Sequence, residues 1–179
     1  MASISRLAIA LLSLAALSNC DNGGTPAAQD SSSAKTAYEL GRVIGFGQGG
    51  GSEIYKRAGW NETEKDFTWT TGQSAKLLFR LAETEQPLTL RMRLGGFVKP
   101  PELPAQPVEV YVNNEKVADW IVSDPADFTA LIPVDMANRT ALAIELRTPK
   151  AASPKSIGAN PDPRILGVNC FEVSITEAR

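Results

Sequence analysis

Two tryptophans and the acidic segment between them are the residues of this chain whose types could do chemistry. Trp60 and Trp69 lie on either side of residues 61–66, which read Asn-Glu-Thr-Glu-Lys-Asp. Exposed indole rings stack on the apolar C–H faces of sugar rings, and carboxylates and amides hydrogen-bond the sugar hydroxyls. Trp60, Glu62 and Trp69 are therefore candidate ligand-binding residues for a saccharide. The alternative is that both tryptophans cap the hydrophobic core and the acids are solvated, since large aromatic side chains mostly serve packing.

A second candidate pair, Asp162 and Arg164, lies in the segment 160–164, which reads Asn-Pro-Asp-Pro-Arg. The guanidinium group of arginine is a planar fork of N–H donors that matches a carboxylate, so Asp162 could hold the Arg164 side chain in place. Both side chains could instead face a ligand. In the purely structural interpretation, the pair only pins its loop to the body of the domain.

The sequence predicts no catalytic residues and no enzyme. It contains no histidine, which removes the commonest general base near neutral pH and the commonest zinc ligand. Two carboxylates, one from 62–66 together with Asp162, could still hydrolyse a glycoside, but the sequence does not give their separation. Residues 45–50 match the G-x-G-x-x-G dinucleotide fingerprint, yet no helix is predicted after them. A tightly turning glycine loop is the favoured interpretation.

The charge balance argues against nucleic acid as a partner. Arg6 is the only basic residue before Cys20, so 17 basic and 20 acidic residues follow, without a run of Lys or Arg. Four basic residues are expected to point outward from two paired strands and could attract an acidic glycan, unless outward-pointing glutamates neutralise them: Lys76, Arg80, Arg91 and Arg93. No cofactor is predicted. A structural Ca²⁺ held by acidic loops stays open, although no EF-hand spacing supports it.

From Ala75 onward, apolar and polar residues alternate with the period of two that is expected of strands. The predicted strands are 75–81, 88–94, 108–112, 117–122, 128–132, 142–146 and 171–175, and further strands are expected within 38–46 and 66–69. Asn113-Asn114 lies between two of them, and asparagine tolerates the left-handed conformation of a tight hairpin. The pattern predicts an all-β fold, an antiparallel β-sandwich of the jelly-roll or galactose-binding-like type.

The connections between these strands predict a loop-rich end of the sandwich. If successive strands alternate in direction, the loops 95–107, 123–127 and 148–164 gather at the end where the chain enters the strand at Ala75. Loops 95–107 and 148–164 contain four prolines each. Proline stiffens a loop, and a preformed rim of this kind suits ligand binding.

The first residues are predicted to be an export signal. Arg6 precedes the apolar and small stretch Leu7–Leu17, whose 11 residues are too few to cross a bilayer. The stretch ends in Leu-Ser-Asn-Cys at 17–20, which resembles the lipobox of bacterial lipoproteins, where cleavage precedes a cysteine that then carries the lipid. An ordinary signal peptidase could instead cut after Ser18, and Cys20 could then pair with Cys170 in an oxidising periplasm.

The predicted organisation has three parts: a signal peptide at 1–19, a lipidated Cys20 with a flexible tether at 20–36, and a single β-sandwich domain at 37–179. Residues 21–36 contain no large apolar side chain and cannot bury enough surface to offset their ordering entropy. The chain is therefore expected to be exported and anchored by its lipid to a bacterial membrane, facing the periplasm.

Several residues between Gly59 and Ile175 carry a resemblance to a known kind of domain. They are Gly59-Trp60 with Glu62, Trp69, the strand Ala75–Leu81, the hairpin segment Val108–Asn113, and the run Ser153-Pro154 with Gly158 and Asp162–Gly167. This part of the chain resembles the β-sandwich domains of unknown function that are appended to bacterial membrane glycosyltransferases and related envelope-sugar proteins. The resemblance implies a jelly-roll domain that handles or senses envelope saccharide without being the catalyst.

Three functional hypotheses follow. The first is an envelope lipoprotein with a non-catalytic domain that binds saccharide or an envelope glycosyltransferase-type protein. The second is a purely protein–protein accessory subunit of an envelope complex. The third is a glycan hydrolase or lyase.

Overall fold

The strands of the domain form two antiparallel sheets. The computed structural model describes residues 37–139 and 141–178. Its strands are β1 (Ile44–Gly45), β2 (Trp60–Thr63), β3 (Thr68–Thr71), β4 (Ser74–Arg80), β5 (Leu88–Gly96), β6 (Gln106–Val112), β7 (Glu115–Val122), β8 (Ala126–Ile132), β9 (Ala141–Arg147) and β10 (Leu166–Glu177). A 3₁₀-helix covers Ser52–Ile54, and a four-residue helix, α1, covers Val134–Ala137.

The long strand β10 organises the first sheet, which we call sheet A. Its strand order is β2-β3-β10-β5-β8, and β1 pairs with the C-terminal half of β10. The second sheet, sheet B, has the order β4-β9-β6-β7. Every pairing between these strands is antiparallel, so the predicted all-β antiparallel sandwich is confirmed.

The core lies between the sheets and is filled by the residues that alternate in the sequence. In β6, for example, Val108, Val110 and Val112 are buried, while the residues between them are half-buried on the opposite face. The fully buried large side chains of the facing strands β5 and β9 are Leu88, Leu90, Met92, Leu94, Leu142, Ile144 and Leu146. Each stabilises the fold by about 1.5–3 kcal/mol through removal of its apolar surface from water.

The turn between β6 and β7 is the tight hairpin that its sequence predicts. Asn113 and Asn114 have φ angles of 49° and 71°, in the left-handed region. Asparagine is one of the few non-glycine residues that adopt this region at low cost, and two such residues in succession match the twist of the flanking strands. The Asn113 side chain also accepts a hydrogen bond from the Ala143 N–H at 3.0 Å, which ties the turn to β9.

The long proline-containing loops meet at one end of the sandwich, as the alternation of strand directions predicts. Gln106 Nε2 donates to the Phe97 carbonyl at 2.8 Å and to the Lys150 carbonyl at 3.4 Å, which joins loops 97–105 and 148–165. The turn between β3 and β4 joins them through a bond from the Gly72 N–H to the Ile165 carbonyl, at 3.0 Å. We call this end the loop end.

The N-terminal part of the described chain joins the sandwich at the opposite end. The Tyr38 N–H donates to the carbonyl of Arg80, the last residue of β4, at 2.7 Å. The Gly41 N–H donates to the Ile175 carbonyl near the end of β10, also at 2.7 Å. Because β4 and β10 both start at the loop end, these contacts define an entry end on the far side of the domain.

One local expectation needs correction, one strand was missed, and one expectation holds. The strands that carry Lys76 and Arg91, β4 and β5, do not pair as a hairpin, because β4 pairs with β9 in sheet B and β5 lies between β10 and β8 in sheet A. Strand β2 was not predicted. Residues 45–50 form a tight turn with hydrogen bonds from Gly45 N–H to Gly50 O and from Gly50 N–H to Gly47 O, as expected of a glycine loop.

The predicted signal peptide, Cys20 and tether lie outside the described residues. Within residues 37–139 and 141–178, no helix is long and apolar enough to cross a membrane.

Candidate functional site

Four aromatic side chains form a continuous row on the outer face of sheet A. Phe171 lies 5.4 Å from Phe67, Phe67 lies 5.8 Å from Trp69, and Trp69 lies 6.3 Å from Phe97, measured between ring centroids. Each pair meets edge to face, and all four side chains are half-buried. We call these residues the aromatic row. Its rings are fixed by one another and still present part of their surface to solvent.

Strand alternation explains why these rings share a face. In β3, Thr68 and Thr70 are buried, so Trp69 projects from the opposite face, and Phe67 precedes it by two residues. Phe97 directly follows the last residue of β5. A register shift between Cys170 and Glu172 in β10 marks a bulge at Phe171. A bulge changes the direction of nearby side chains.

Asp162 and Arg164 form a bidentate ion pair next to this row. Arg164 Nε and Nη2 lie 2.9 and 2.7 Å from Asp162 Oδ2, and Nη1 lies 3.7 Å from Glu64 Oε1. Glu64 belongs to the β2–β3 turn, where its N–H donates to the Phe67 carbonyl at 2.9 Å. Hydrogen bonds from Arg164 hold the pKa of the Asp162 carboxyl below its ordinary value. The pair therefore ties loop 148–165 to the turn that carries Phe67.

The structure does not bring Trp60 and Trp69 onto one surface. Trp60 pairs with Thr70, whose side chain is buried, so Trp60 faces the interior. Its ring packs 5.0 Å from Phe46, and its indole N–H donates to the Lys76 carbonyl at 2.8 Å. Trp60 thus packs against the core, whereas Trp69 lies in the aromatic row. Glu62 is exposed on the edge strand β2.

The expected basic face is divided between the two sheets and is paired with acids. Lys76 lies on sheet B, 3.8 Å from Glu145, and Arg91 lies on sheet A, 2.7 Å from Asp127. The expected single basic face does not form, because β4 and β5 lie in different sheets and present their outer residues on opposite sides of the sandwich. Among the residues that the structure describes, no group of three or more Cys, Asp or Glu is placed to hold a metal ion.

Cys170 is a free thiol in the core, on the inner face of β10. Burial raises the pKa of this thiol well above its ordinary value, so the neutral form is strongly favoured. A disulfide from Cys170 to a residue outside the domain would first require sheet A to open.

Sequence reasoning identified Trp69, Asp162 and Arg164 but missed the other members of this region. Phe67 could have been found, since it lies two residues before Trp69 and therefore on the same face of a strand. Phe97 and Phe171 carry no local signal of this kind. They join the row only because β5 and β3 both flank β10.

Comparison with known proteins finds matches among solved structures alone. No protein-family model matches the chain, and no curated protein sequence is similar to it. Among solved structures, it is similar to the CBM36-1 domain of a multidomain xylanase from the hindgut metagenome of Trinervitermes trinervoides, at 12% identity and a TM-score of 0.47, over 77% of this chain and 98% of that domain. It is also similar to the CBM22-1 xylan-binding domain from Paenibacillus barcinonensis Xyn10C, at 11% identity and a TM-score of 0.49, over 80% and 97% of the two chains.

A third similar structure is a family GH115 4-O-methyl-alpha-glucuronidase, BtGH115A, with specificity for decorated arabinogalactans. The identity is 9% and the TM-score is 0.50, over 79% of this chain and 18% of that enzyme. At 9% identity and a TM-score of 0.50, this likeness shows the β-sandwich fold alone and leaves the ligand to be argued from this chain's own residues.

Proposed function

We propose that this chain is a non-catalytic saccharide-binding protein of the cell envelope, and that the aromatic row is its binding surface. The observation that supports the proposal is the row itself: four half-buried rings at successive centroid distances of 5.4, 5.8 and 6.3 Å on an outer sheet face. Rings that served only the core would face inward, as Tyr38, Phe46 and Phe79 do.

The surroundings of the row favour a sugar over an apolar partner. Sugar rings combine apolar C–H faces with a rim of hydroxyls, so their sites combine aromatic platforms with hydrogen-bonding groups. Here the rings lie beside the amide of Asn169, the carboxylate of Glu64 and the guanidinium of Arg164. The alternative, a protein–protein accessory subunit, calls for a wider apolar patch with a polar rim.

The proposal includes a lipid anchor at Cys20 and a periplasm-facing domain. Burial of Cys170 supports this assignment, because a thiol enclosed in the core is a poor disulfide partner for Cys20. The described chain begins at the entry end, whereas Trp69 and Phe97 lie toward the loop end. A flexible tether attached at the entry end would leave the aromatic row free to meet envelope polysaccharide or a glycosyltransferase-type partner.

Glycan binding by the Trp69→Ala variant tests the binding surface. Affinity electrophoresis in gels that contain envelope polysaccharides measures the retardation of each variant. Loss of one stacking platform is expected to cost about 2 kcal/mol, or about 30-fold in affinity. Tyr111→Ala is the matched control, because it removes an outward-facing aromatic ring from sheet B. Equal affinities of wild type and Trp69→Ala, or capture of a protein partner without any glycan signal, would overturn the proposal.

The anchor is tested separately by mass spectrometry of the mature N terminus. Acylated Cys20 as the first residue is expected, and Cys20→Ala should release the protein from the membrane fraction. A mature chain that begins at Asn19 would remove the lipid anchor and leave the binding surface unaffected.

A further inference from the structure

Asn169 lies on the outer face of β10, which is the strand between β3 and β5 in sheet A. In β10 it is the registered partner of Trp69 on β3 and of Gly95 on β5. These three residues therefore lie side by side across the sheet, and none of them is charged. A ligand stacked on the Trp69 ring would therefore lie beside Asn169.

The Asn169 amide is buried without its full set of hydrogen bonds. Only 9% of the residue is exposed, and Oδ1 accepts no hydrogen bond from the described residues. Buried polar side-chain atoms nearly always have a partner, and an unpaired one lowers stability. An amide of this kind beside an aromatic platform has the character of a group kept for a ligand.

The backbone opposite Asn169 leaves room for this amide. A Cβ atom on Gly95 would lie 2.5 Å from Asn169 Oδ1 and 3.2 Å from Pro125 Cγ. Any side chain at position 95 would therefore displace the amide from its place. The contact involves the far end of the Asn169 side chain and not backbone, so a small residue at position 95 can be accommodated if that side chain moves.

We propose that Asn169 orients the sugar that stacks on Trp69 and selects neutral sugars by the configuration of their hydroxyls. The inference rests on the proposed function. An amide offers one acceptor oxygen and two N–H donors, which match a pair of neighbouring sugar hydroxyls. Rotation about its last side-chain bond, a broad torsion, can turn either group toward the ligand. The uncharged set of Trp69, Asn169 and Gly95 favours a neutral sugar over an acidic one at this position.

The test compares wild type with Asn169→Ala, Gly95→Ala and Ser174→Ala, titrated by calorimetry with neutral oligosaccharides. The sugars are used in pairs that differ in the configuration of one hydroxyl on each ring, such as cello- and manno-oligosaccharides of equal length. Asn169→Ala and Gly95→Ala are each expected to weaken binding of the preferred member about tenfold and to bring the ratio of affinities toward one. Ser174→Ala, a buried polar residue on the same face of β10, should leave this ratio unchanged.

The ratio separates an orienting role from a structural one, because a loss of folded protein lowers the apparent stoichiometry for both sugars and leaves the ratio of their affinities unchanged. Thermal melts of the variants check folding independently. An unchanged ratio in Asn169→Ala and Gly95→Ala, with binding still dependent on Trp69, would overturn the role of Asn169 and leave the binding surface standing. If wild type binds none of these sugars or the envelope polysaccharides, both proposals fail.

Discussion

The two outer faces of the sandwich are built by the same strand alternation, yet they differ in what covers their aromatic residues. On sheet B, the Arg147 guanidinium lies 3.9 Å from the centroid of the Tyr111 ring, and Tyr111 Oη lies 3.3 Å from Glu109 Oε2. On sheet A, the rings of the aromatic row pack edge to face against one another, no cation is found over them among the described residues, and the neighbouring Asn169 Oδ1 lacks a partner. The Tyr111 ring is thus covered by Arg147 of its own sheet, whereas the aromatic row is available to a ligand, and we call the outer faces of sheets B and A the closed face and the open face.

Several charged side chains of sheet B are paired with one another. Glu145 accepts hydrogen bonds from Ser74 at 2.6 Å and Arg147 at 3.1 Å, and Lys116 lies 3.2 Å from Glu109 and 2.7 Å from Asp119. Burial alone would raise the pKa of the Glu145 carboxyl, but the bonds from Arg147 and Ser74 outweigh it and hold this pKa below its ordinary value. The same strand alternation thus produces paired charges on the closed face and solvent-facing rings on the open face.

The largest expected effect is on glycan binding by the double variant Trp69→Ala/Phe97→Ala. Removal of two adjacent platforms should weaken binding by about 100-fold or more, since aromatic anchors carry most of the energy of a binding surface. Affinity electrophoresis and calorimetry measure the loss. Tyr111→Ala, on the closed face, should bind as wild type does. If Tyr111→Ala lost as much affinity as the double variant, the distinction between the two faces would be wrong.

The next effect is on stability and concerns the closed face. Glu145→Gln keeps the shape of the side chain but removes the charge that Arg147 and Lys76 share. Because the Glu145 side chain is only 14% exposed, the free energy of unfolding should fall by about 1 kcal/mol, with glycan affinity unchanged. Urea unfolding measures it. Asp127→Asn, in the more exposed pair with Arg91, should cost less than about 0.5 kcal/mol, and equal costs would show that burial does not matter here.

The stability of the protein at acidic pH should also depend on the Glu145 carboxylate. The pKa of Glu145 is lower in the folded protein than its ordinary 4.5, so its stabilising contribution is fully present above that value and is lost as the pH falls through the folded pKa. Wild type should therefore lose stability more steeply than Glu145→Gln below about pH 4.5. Urea midpoints measured at decreasing pH provide the comparison, and parallel curves would contradict it.

A smaller effect is expected from Arg164→Ala. The substitution releases loop 148–165 from Glu64 in the turn that carries Phe67, and a less ordered platform binds more weakly. We expect about threefold weaker glycan binding and less than about 0.5 kcal/mol of lost stability, because the pair is solvent-exposed. Arg147→Ala on sheet B is the control for removal of an arginine, and it should not change the affinity.

The smallest effect should be that of salt on binding. Stacking and hydrogen bonding to a neutral saccharide are not screened, so an increase from about 0.05 to 1 M NaCl should change the affinity by less than about twofold. A steep fall in affinity with salt would indicate an acidic glycan and would bring Arg91 and Arg93 back as binding residues. Calorimetry at several salt concentrations distinguishes a neutral from an acidic glycan.

Much of the fold could be predicted from local pattern. The alternation at 88–94, 108–112 and 142–146 gave strands whose inner residues are the buried ones, because one face of each sheet is dry. Strand β2 escaped prediction because residues 60–63 lack alternation: Asn61 and Glu62 follow one another at a bulged edge. The pairing of β4 and β5 was wrong because adjacent strands in sequence can cross between sheets, and nothing local reports it.

The candidate site could be predicted only in part, because local sequence does not report which strands lie side by side. Trp69 and the pair Asp162–Arg164 drew attention through residue chemistry alone, and the structure links Arg164 to the turn beside Trp69. Trp60 has the same chemistry but lies against Phe46, since its registered neighbour Thr70 faces the interior. Residue type indicates which side chains can bind a ligand, whereas register decides which of them reach the surface.

The sequence by itself determined most of the strands, the side of each of these that is buried, the Asn113-Asn114 hairpin and the absence of histidine chemistry. Only the tertiary structure decided that β10 lies between β3 and β5, which brings Phe67, Trp69, Phe97 and Asn169 to one face. The physical reason is that a period of two fixes the direction of a side chain relative to its own strand. Which strand lies alongside is settled by long-range packing of the two buried faces, and the outer surface follows from that choice.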